Sequence, residues 1–205
     1  MSAIELSSDV GLVAMGLLTL NLLLGLLLSV RYNPWTHWPH RRFNYFALHN
    51  WTGYVALAVS ALHPLILLFS STAGFDLLDL IYPVYSPKQP LENTLGAIGL
   101  YALAVVVASS YVRRRMNRTT WKRLHYVAYA AAAAFYVHGI LTDPKLENRP
   151  IDYFDGEKVL VEVCLLLVAA VTVWRARYAL RRRRAGLRPV GASRRQRAGA
   201  EPEAA

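Results

Sequence analysis

The sequence predicts an all-α integral membrane protein: a bundle of about five transmembrane helices, with its N-terminus outside and its C-terminus in the cytoplasm. Apolar residues make up 55% of the 205. They are gathered into long runs almost free of charge, rather than spread with the periodicity of a soluble amphipathic helix. Basic and acidic segments alternate between these runs, as the positive-inside rule requires of loops on opposite sides of a bilayer. The two patterns together predict both the class and the orientation.

Five apolar runs approach or exceed the roughly 20 residues that cross a hydrocarbon core about 30 Å thick. They are residues 10–30, 44–69, 94–112, 124–141 and 159–174. The first run is predicted to be a retained helix rather than a cleaved secretory signal. Glu5 and Asp9 precede it, where a signal peptide would carry positive charge.

The placement of charge predicts the orientation. Residues 31–43, residues 113–123 and the stretch from residue 175 onward hold all but four of the 23 basic residues. The N-terminus and residues 70–93 and 143–158 hold ten of the 13 acidic ones. The basic segments are therefore predicted to be cytoplasmic. The net charge of +10 then indicates contact with anionic lipid and not nucleic-acid binding, in a multi-pass protein of an inner or plasma membrane.

The chain is predicted to form one transmembrane domain, residues 1–180, followed by a basic and disordered cytoplasmic tail, residues 181–205. Residues 75–81, in the first outer loop, are predicted to form a short interfacial helix. Cys164 is the only cysteine, which excludes an intrachain disulfide and a thiolate metal cluster. Its place in the middle of the last run predicts a packing role.

Four of the six histidines fall within predicted spans: His49 and His63 in the second, His125 and His138 in the fourth. Ionisable side chains at membrane depth are costly, and no Asp, Glu, Lys or Arg accompanies these four within the two spans, so they are candidates for function. The 14 residues from His49 to His63 span about 21 Å and nearly four helical turns, so both rings project from nearly the same face. The 13 residues from His125 to His138 span about 19.5 Å.

Both spans are predicted to run from the cytoplasm outward, so the histidines form two pairs by depth. Two neutral imidazoles fill both axial positions of a haem, which leaves the iron to pass electrons rather than to bind oxygen. The pattern therefore predicts two stacked b-type haems, with small residues between 128 and 134 leaving room for the macrocycles. The alternative is that the histidines satisfy hydrogen bonds inside the bundle or form a proton path.

One geometric feature opposes this interpretation. Thirteen residues turn an ideal helix so that His138 faces about 140° away from His125. The fourth span is therefore expected to be distorted or kinked, or His138 to reach around it. Pro64, directly after His63, is expected to bend the second span.

With these residues in hand, the chain resembles the ferric-reductase-like transmembrane domain family, which includes ferric reductases, NADPH oxidases and the haem subunit of the bacterial methionine-sulfoxide reductase system. The resemblance covers about residues 41–142. The motifs that carry it are Arg41-Arg42, Leu48-His49 with Gly53, Leu62-His63, Trp121-Lys122-Arg123-Leu124-His125 with Tyr129, and His138.

The resemblance implies that one pair of histidines binds an inner haem and the other an outer haem, and that relatives tolerate the 13-residue interval. The inner pair is His49 with His125, and the outer pair is His63 with His138. The residues near the cytoplasmic level that are candidates for pairing with haem propionates are Arg42, Lys122 and Arg123. An equally good interpretation is that these three are positive-inside charges.

Two features depart from the family pattern. Family members commonly have six helices with the histidines in the third and fifth, whereas this sequence predicts five, with the histidines in the second and fourth. Ferric reductases and NADPH oxidases also carry a flavin and nicotinamide module, and this sequence has no glycine-rich dinucleotide fingerprint. The chain is therefore expected to be an oxidoreductase component that receives electrons from a flavoprotein or a quinol.

The leading hypothesis is a transmembrane electron conduit that delivers electrons to an outer-face acceptor, which is a metal ion, oxygen or a protein. A second is the haem-binding membrane subunit of a methionine-sulfoxide reductase system, which the lack of a flavin module favours and the helix count disfavours. A third, from another class, is a haem-free transporter or assembly protein that uses its histidines for protons or metal ions. The paired depths of the histidines favour the first two hypotheses.

Overall fold

The structure is a computed structural model and describes residues 2–30, 44–147 and 149–184. Within these ranges the chain forms α-helices and short 3₁₀ turns and no strand. The α-helices are α1 (Ala3–Ser29), α2 (Tyr45–Ile66), α3 (Leu77–Ile81), α4 (Pro90–Tyr111), α5 (Arg118–Leu141) and α6 (Gly156–Arg184). All but α3 are long and apolar enough to cross a membrane, and α2 is continued by a 3₁₀ turn to Phe69. The all-α bundle of five spans is confirmed; its orientation stays a prediction.

The helices extend beyond the predicted runs, because hydropathy marks only the apolar part of a helix. α1 begins seven residues before its apolar run. A capping box fixes its first turn: Glu5 N–H donates to Ser2 Oγ at 3.2 Å, and Ser2 N–H donates to Glu5 Oε2 at 2.7 Å. α6 continues to Arg184, past the predicted domain boundary at residue 180, since arginine is a good helix former. The rest of the predicted tail lies outside the described residues.

The spans pack in sequential pairs. α1 lies against α2 and α4 against α5, while α6 packs on both α1 and α5. Their buried core consists of Met15, Leu18, Leu22, Leu103, Ala131, Ala132, Tyr136, Val161, Cys164 and Val168. Cys164 is thus a packing residue, as predicted. The backbones of α2 and α5 hardly touch, so these two helices face each other across a gap that side chains must fill.

The first outer loop contains the short helix predicted there. α3 begins at Leu77, and Asp76 caps it: its N–H donates to Asp79 Oδ2 at 2.9 Å. Leu77, Leu78 and Ile81 are all exposed, at 59%, 73% and 57%. Such a helix, with its apolar side chains uncovered by the protein, is suited to a membrane interface.

The loop before α4 and the loop after α5 are joined by a clamp between Gln89 and Asp143, both buried. Asp143 N–H donates to Gln89 Oε1 at 3.0 Å, and Gln89 Nε2 donates to the Asp143 carbonyl at 3.2 Å. The Asp143 carboxylate also accepts from Arg149 Nη2 at 2.6 Å and from the backbone N–H groups of Lys145, Glu147 and Arg149. The Arg149 guanidinium holds the pKa of that carboxyl well below its usual range.

Replacing Asp143 with asparagine is expected to destabilise the protein by about 1–3 kcal/mol, because it removes the charge that Arg149 and the loop N–H groups bind. The folded pKa is depressed, so this stabilisation is fully present above the unfolded value of about 3.9 and is lost as the pH falls through the folded pKa. The difference in thermal midpoint between wild type and variant should therefore be constant from about pH 5 to 8 and shrink below about pH 4. Thermal unfolding in detergent measures it.

Glu147→Gln is the matched control. The Glu147 side chain is 62% exposed and lies 3.7 Å from Arg149 Nε, so its removal should change the midpoint little. Equal losses in the two variants would contradict the assignment of the clamp to Asp143.

Candidate functional site

The four histidines meet in two pairs across the gap between α2 and α5. The ring centroids of His49 and His125 lie 6.1 Å apart, and those of His63 and His138 lie 6.3 Å apart. These are the pairs that the sequence predicts from depth. Each level of the bundle therefore presents one imidazole from each helix.

The separation of the rings fits two imidazoles on one metal ion. A metal–nitrogen bond to histidine is about 2.0 Å long and the nitrogen lies about 1.1 Å from its ring centre, so two coaxial ligands have ring centres about 6.2 Å apart. Both observed separations match this value. The ring planes are inclined at 77° in the first pair and 68° in the second. These angles are compatible with two ligands of one metal ion, because each ring can rotate about its metal–nitrogen bond.

The 13-residue interval is accommodated without a break in the helix. α5 is a single α-helix from Arg118 to Leu141, so the His138 side chain reaches its partner without an interruption of the hydrogen bonding. α2 also continues as an α-helix through Pro64 before it tightens to a 3₁₀ turn at Leu67–Phe69.

Neighbouring helices orient three of the four rings through their Nδ1 atoms. In each case Nδ1 lies within hydrogen-bonding distance of a backbone carbonyl oxygen. The contacts are His49 to Asn21 O at 3.1 Å, His63 to Ser7 O at 2.7 Å and His138 to Glu92 O at 2.7 Å. Because a carbonyl oxygen only accepts, Nδ1 must carry the proton. The lone pair is then on Nε2, which is the atom left to bind a metal, and the hydrogen bond raises its basicity.

His125 is held differently. Its Nδ1 lies 3.4 Å from the Ser110 hydroxyl, and its ring stacks on Trp121 with centroids 5.1 Å apart and planes inclined at 25°. The Trp121 Nε1 atom is buried and has no hydrogen-bond partner within the described part of the chain. Stacking, rather than a carbonyl contact, therefore sets the orientation of this ring.

Glycines form the walls behind the other three rings. A Cβ atom built on Gly11 of α1 would lie 3.0 Å from the His63 ring, and one on Gly25 would lie 3.2 Å from the His49 ring. A Cβ atom on Gly96 of α4 would lie 3.0 Å from the His138 ring. A side chain at any of the three places would therefore press on the ring, which packs directly against the glycine backbone.

Sequence reasoning missed these glycines, although a signal was present. Gly11 and Gly25 are 14 residues apart, the same interval as His49 and His63. Small residues are common in transmembrane helices for close packing, so the interval gains meaning only once α1 is known to lie against α2.

Each histidine pair lies in its own cavity. The cavity at His63 and His138, called the outer cavity, has about 1160 Å³ of empty space, including its open mouth. The cavity at His49 and His125, called the inner cavity, has about 1100 Å³, measured in the same way. Residues of α1, α2, α4, α5 and α6 line both cavities, so each histidine pair faces a space shared by all five spans. Leu18 lines both cavities and marks the boundary between them.

The alanine run contributes less room than predicted. Ala128 lines the inner cavity, but Ala131 and Ala132 are buried in the core, with 1% and 4% exposure. The expectation that the whole run opens space was wrong, because one face of a helix carries only about one residue in three or four.

The predicted cationic residues have different positions. Lys122 lines the inner cavity, whereas Arg123 is exposed and is not among its lining residues. Arg42 lies outside the described residues. Arg175 of α6, which sequence analysis counted only as a positive-inside charge, also lines the inner cavity and donates from Nε to Ser29 Oγ at 2.6 Å.

The donor set at each level consists of two imidazoles. Within the described residues, no three His, Cys, Asp or Glu side chains come together as a metal site. A bare ion such as zinc needs three or four protein ligands, whereas a haem supplies four nitrogens itself and needs only axial ligands. The residues present therefore fit a haem at each level.

Comparison with known families shows which family the chain belongs to. The family model described as the ferric reductase like transmembrane component matches residues 10–136, which is more than half of the chain. The match begins in α1, well before residue 41, and includes His49, His63 and His125; His138 lies two residues past its end. No curated protein and no solved structure matches the sequence.

Proposed function

Because the chain belongs to the ferric-reductase-like transmembrane component family, we propose that it transfers electrons across a membrane through two stacked b-type haems. His49 and His125 would hold the inner haem, and His63 and His138 would hold the outer haem. The observation that carries the proposal is the separation of 6.1 Å and 6.3 Å between the paired rings.

Haem supplies the one-electron chemistry of its iron when bound. Two imidazoles at each level would hold the haem and would direct its iron to electron transfer rather than to the binding of oxygen. The carbonyls of Ser7 and Glu92 hold Nδ1–H of the outer pair and thereby keep Nε2 directed at the metal. The apolar core around Leu18 keeps water out of the layer between the two levels.

Both ends of the path need other molecules. In the predicted orientation the His49–His125 level faces the cytoplasm and receives electrons from a flavoprotein or a quinol. The His63–His138 level faces outward and delivers them to an external acceptor. Lys122 and Arg175 at the inner cavity are suited to pair with the propionates of the inner haem.

The purified protein, produced with haem supplied, is expected to show the visible bands of low-spin b-type haem on reduction with dithionite. A pyridine haemochrome assay should give two haems per chain, since each level holds one. A colourless preparation would overturn the proposal and favour a haem-free transporter. A single haem per chain would overturn the assignment of two levels.

Electron transfer itself is tested in liposomes that contain the protein and trapped ferricyanide. Addition of dithionite outside should reduce the trapped ferricyanide much faster than in liposomes without protein. A double variant that lacks a ligand at each level, His49→Ala with His63→Ala, is the matched control and should show only the protein-free rate. Equal rates for wild type and the double variant would contradict the proposal.

A further inference from the structure

Lys158, near the start of α6, is a buried lysine without an anionic partner. It is 4% exposed, and its Nζ donates to the carbonyls of Gly139, at 2.9 Å, and Thr142, at the end of α5. In the described ranges both ion pairs within 4 Å are formed by Arg149, and none by Lys158. Lysine is almost never fully buried unless it is paired, so the partner of this ammonium has to be sought elsewhere.

The nearest acidic residues have other partners or lie on the surface. Asp143 pairs with Arg149 at 2.6 Å, and Glu157 Oε2 accepts from Ser8 Oγ at 2.9 Å. Asp155 is exposed. An ammonium has three N–H donors, and the two carbonyls use two of them. One donor is therefore left over, and within the described ranges no carboxylate lies within 4 Å of the ammonium.

Lys158 also lines the outer cavity together with His63 and His138. Three charged side chains line this cavity in the described structure: Asp79, Glu157 and Lys158. The two acids repel an anion and offset the charge of Lys158, so an anionic group is held in this cavity only through direct contact with the Lys158 ammonium. A haem held by the histidine pair brings two such groups, its propionate carboxylates, which need a cation at membrane depth.

We propose that Lys158 binds a propionate carboxylate of the outer haem through its free N–H and its charge. This inference rests on the proposed function, because it presumes a haem on His63 and His138. It gives the outer level a counterpart to Lys122 and Arg175, which line the inner cavity. The role is distinct from the capping of α5, which needs the N–H donors of Lys158 but not its charge.

Three variants separate these roles, each combined with His49→Ala so that only the outer haem remains. Lys158→Gln keeps N–H donors for the two carbonyls and removes the charge. Lys158→Arg keeps both. Lys145→Gln, which removes an exposed lysine of the loop between α5 and α6, is the matched control.

The measured quantities are haem content and the midpoint potential from a redox titration. An uncompensated carboxylate favours ferric iron, so Lys158→Gln should lower the ferrous-to-ferric ratio at a fixed potential about tenfold, which is about 59 mV for one electron. Loss of the outer haem from Lys158→Gln but not from Lys158→Arg would equally support the contact. Lys158→Arg and Lys145→Gln should stay near the parent value.

An unchanged potential and haem content in Lys158→Gln would overturn the inference and leave the proposed function intact. Equal losses in Lys158→Gln and Lys158→Arg would also overturn it, since they indicate a packing role alone. Absence of haem from the wild-type protein would instead overturn the proposed function, so the two failures are distinguishable.

Discussion

Replacing His63 with alanine is expected to remove about half of the bound haem, because the outer site loses one of its two axial ligands while the inner site keeps both. Replacing His138 should have the same effect. The double variant of this pair should lose no more than either single variant, since both residues serve one site. In contrast, His63→Ala combined with His49→Ala should abolish haem binding. Haem content by pyridine haemochrome, per chain, measures all four outcomes.

The losses of haem in the double variants test the assignment of the pairs more sharply than the loss in any single variant. Residues that act as a unit give no further loss when the second is removed, whereas independent sites add. His40→Ala is the control, because His40 lies outside the predicted spans, in the basic segment of residues 31–43. A His63–His138 double variant with no haem at all, or a His40 variant with half, would refute the assignment of the pairs.

The pairing of the histidines was accessible to sequence analysis because it rests on two long-range regularities. The charge pattern gives the direction of each span, and the helical rise gives depth along it. Depth alone was enough to match His49 with His125. The direction in which His138 faces could not be predicted from the sequence, because the expected angle of 140° to His125 presumed ideal side-chain directions. In the structure His138 lies opposite His63 on an uninterrupted α5.

The surroundings of the rings were not accessible in the same way. The carbonyls of Ser7, Asn21 and Glu92 carry no side-chain signal, because any residue type presents a backbone oxygen. Arg175 looks like a topological charge in the sequence and Lys158 like an ordinary residue of an acidic loop, and only the packing of α6 brings them to the cavities. Contacts between helices distant in sequence, rather than local patterns, decide these positions.

The glycine walls lead to the second prediction. Replacing Gly11 with valine is expected to remove most of the outer haem, because the new Cβ atom lies 3.0 Å from Cε1 and Nδ1 of His63. That ring has little freedom to move away, since Nδ1 is tied to the Ser7 carbonyl at 2.7 Å and Nε2 has to stay on the iron. Overpacking of this kind costs about 1–3 kcal/mol, which corresponds to about a 5- to 150-fold loss of affinity.

Gly16→Val is the matched control on the same helix. A Cβ atom there has nothing within 4 Å, and valine is a better helix former than glycine at either position. A general effect of valine in α1 would therefore appear in both variants, whereas contact with the histidine appears only in Gly11→Val. Haem content with the midpoint potential of the remaining haem measures the difference.

The same reasoning assigns each glycine to one level. Gly96→Val should also act on the outer haem, since its Cβ atom would lie 3.0 Å from the His138 ring, and Gly25→Val should act on the inner haem through His49, at 3.2 Å. Gly11→Val and Gly25→Val should thus leave behind haems with different midpoint potentials. If both variants lose the same haem, or if Gly16→Val loses as much as Gly11→Val, the glycines do not act through the histidines. The 14-residue interval shared by Gly11 and Gly25 with His49 and His63 would then reflect helix packing alone.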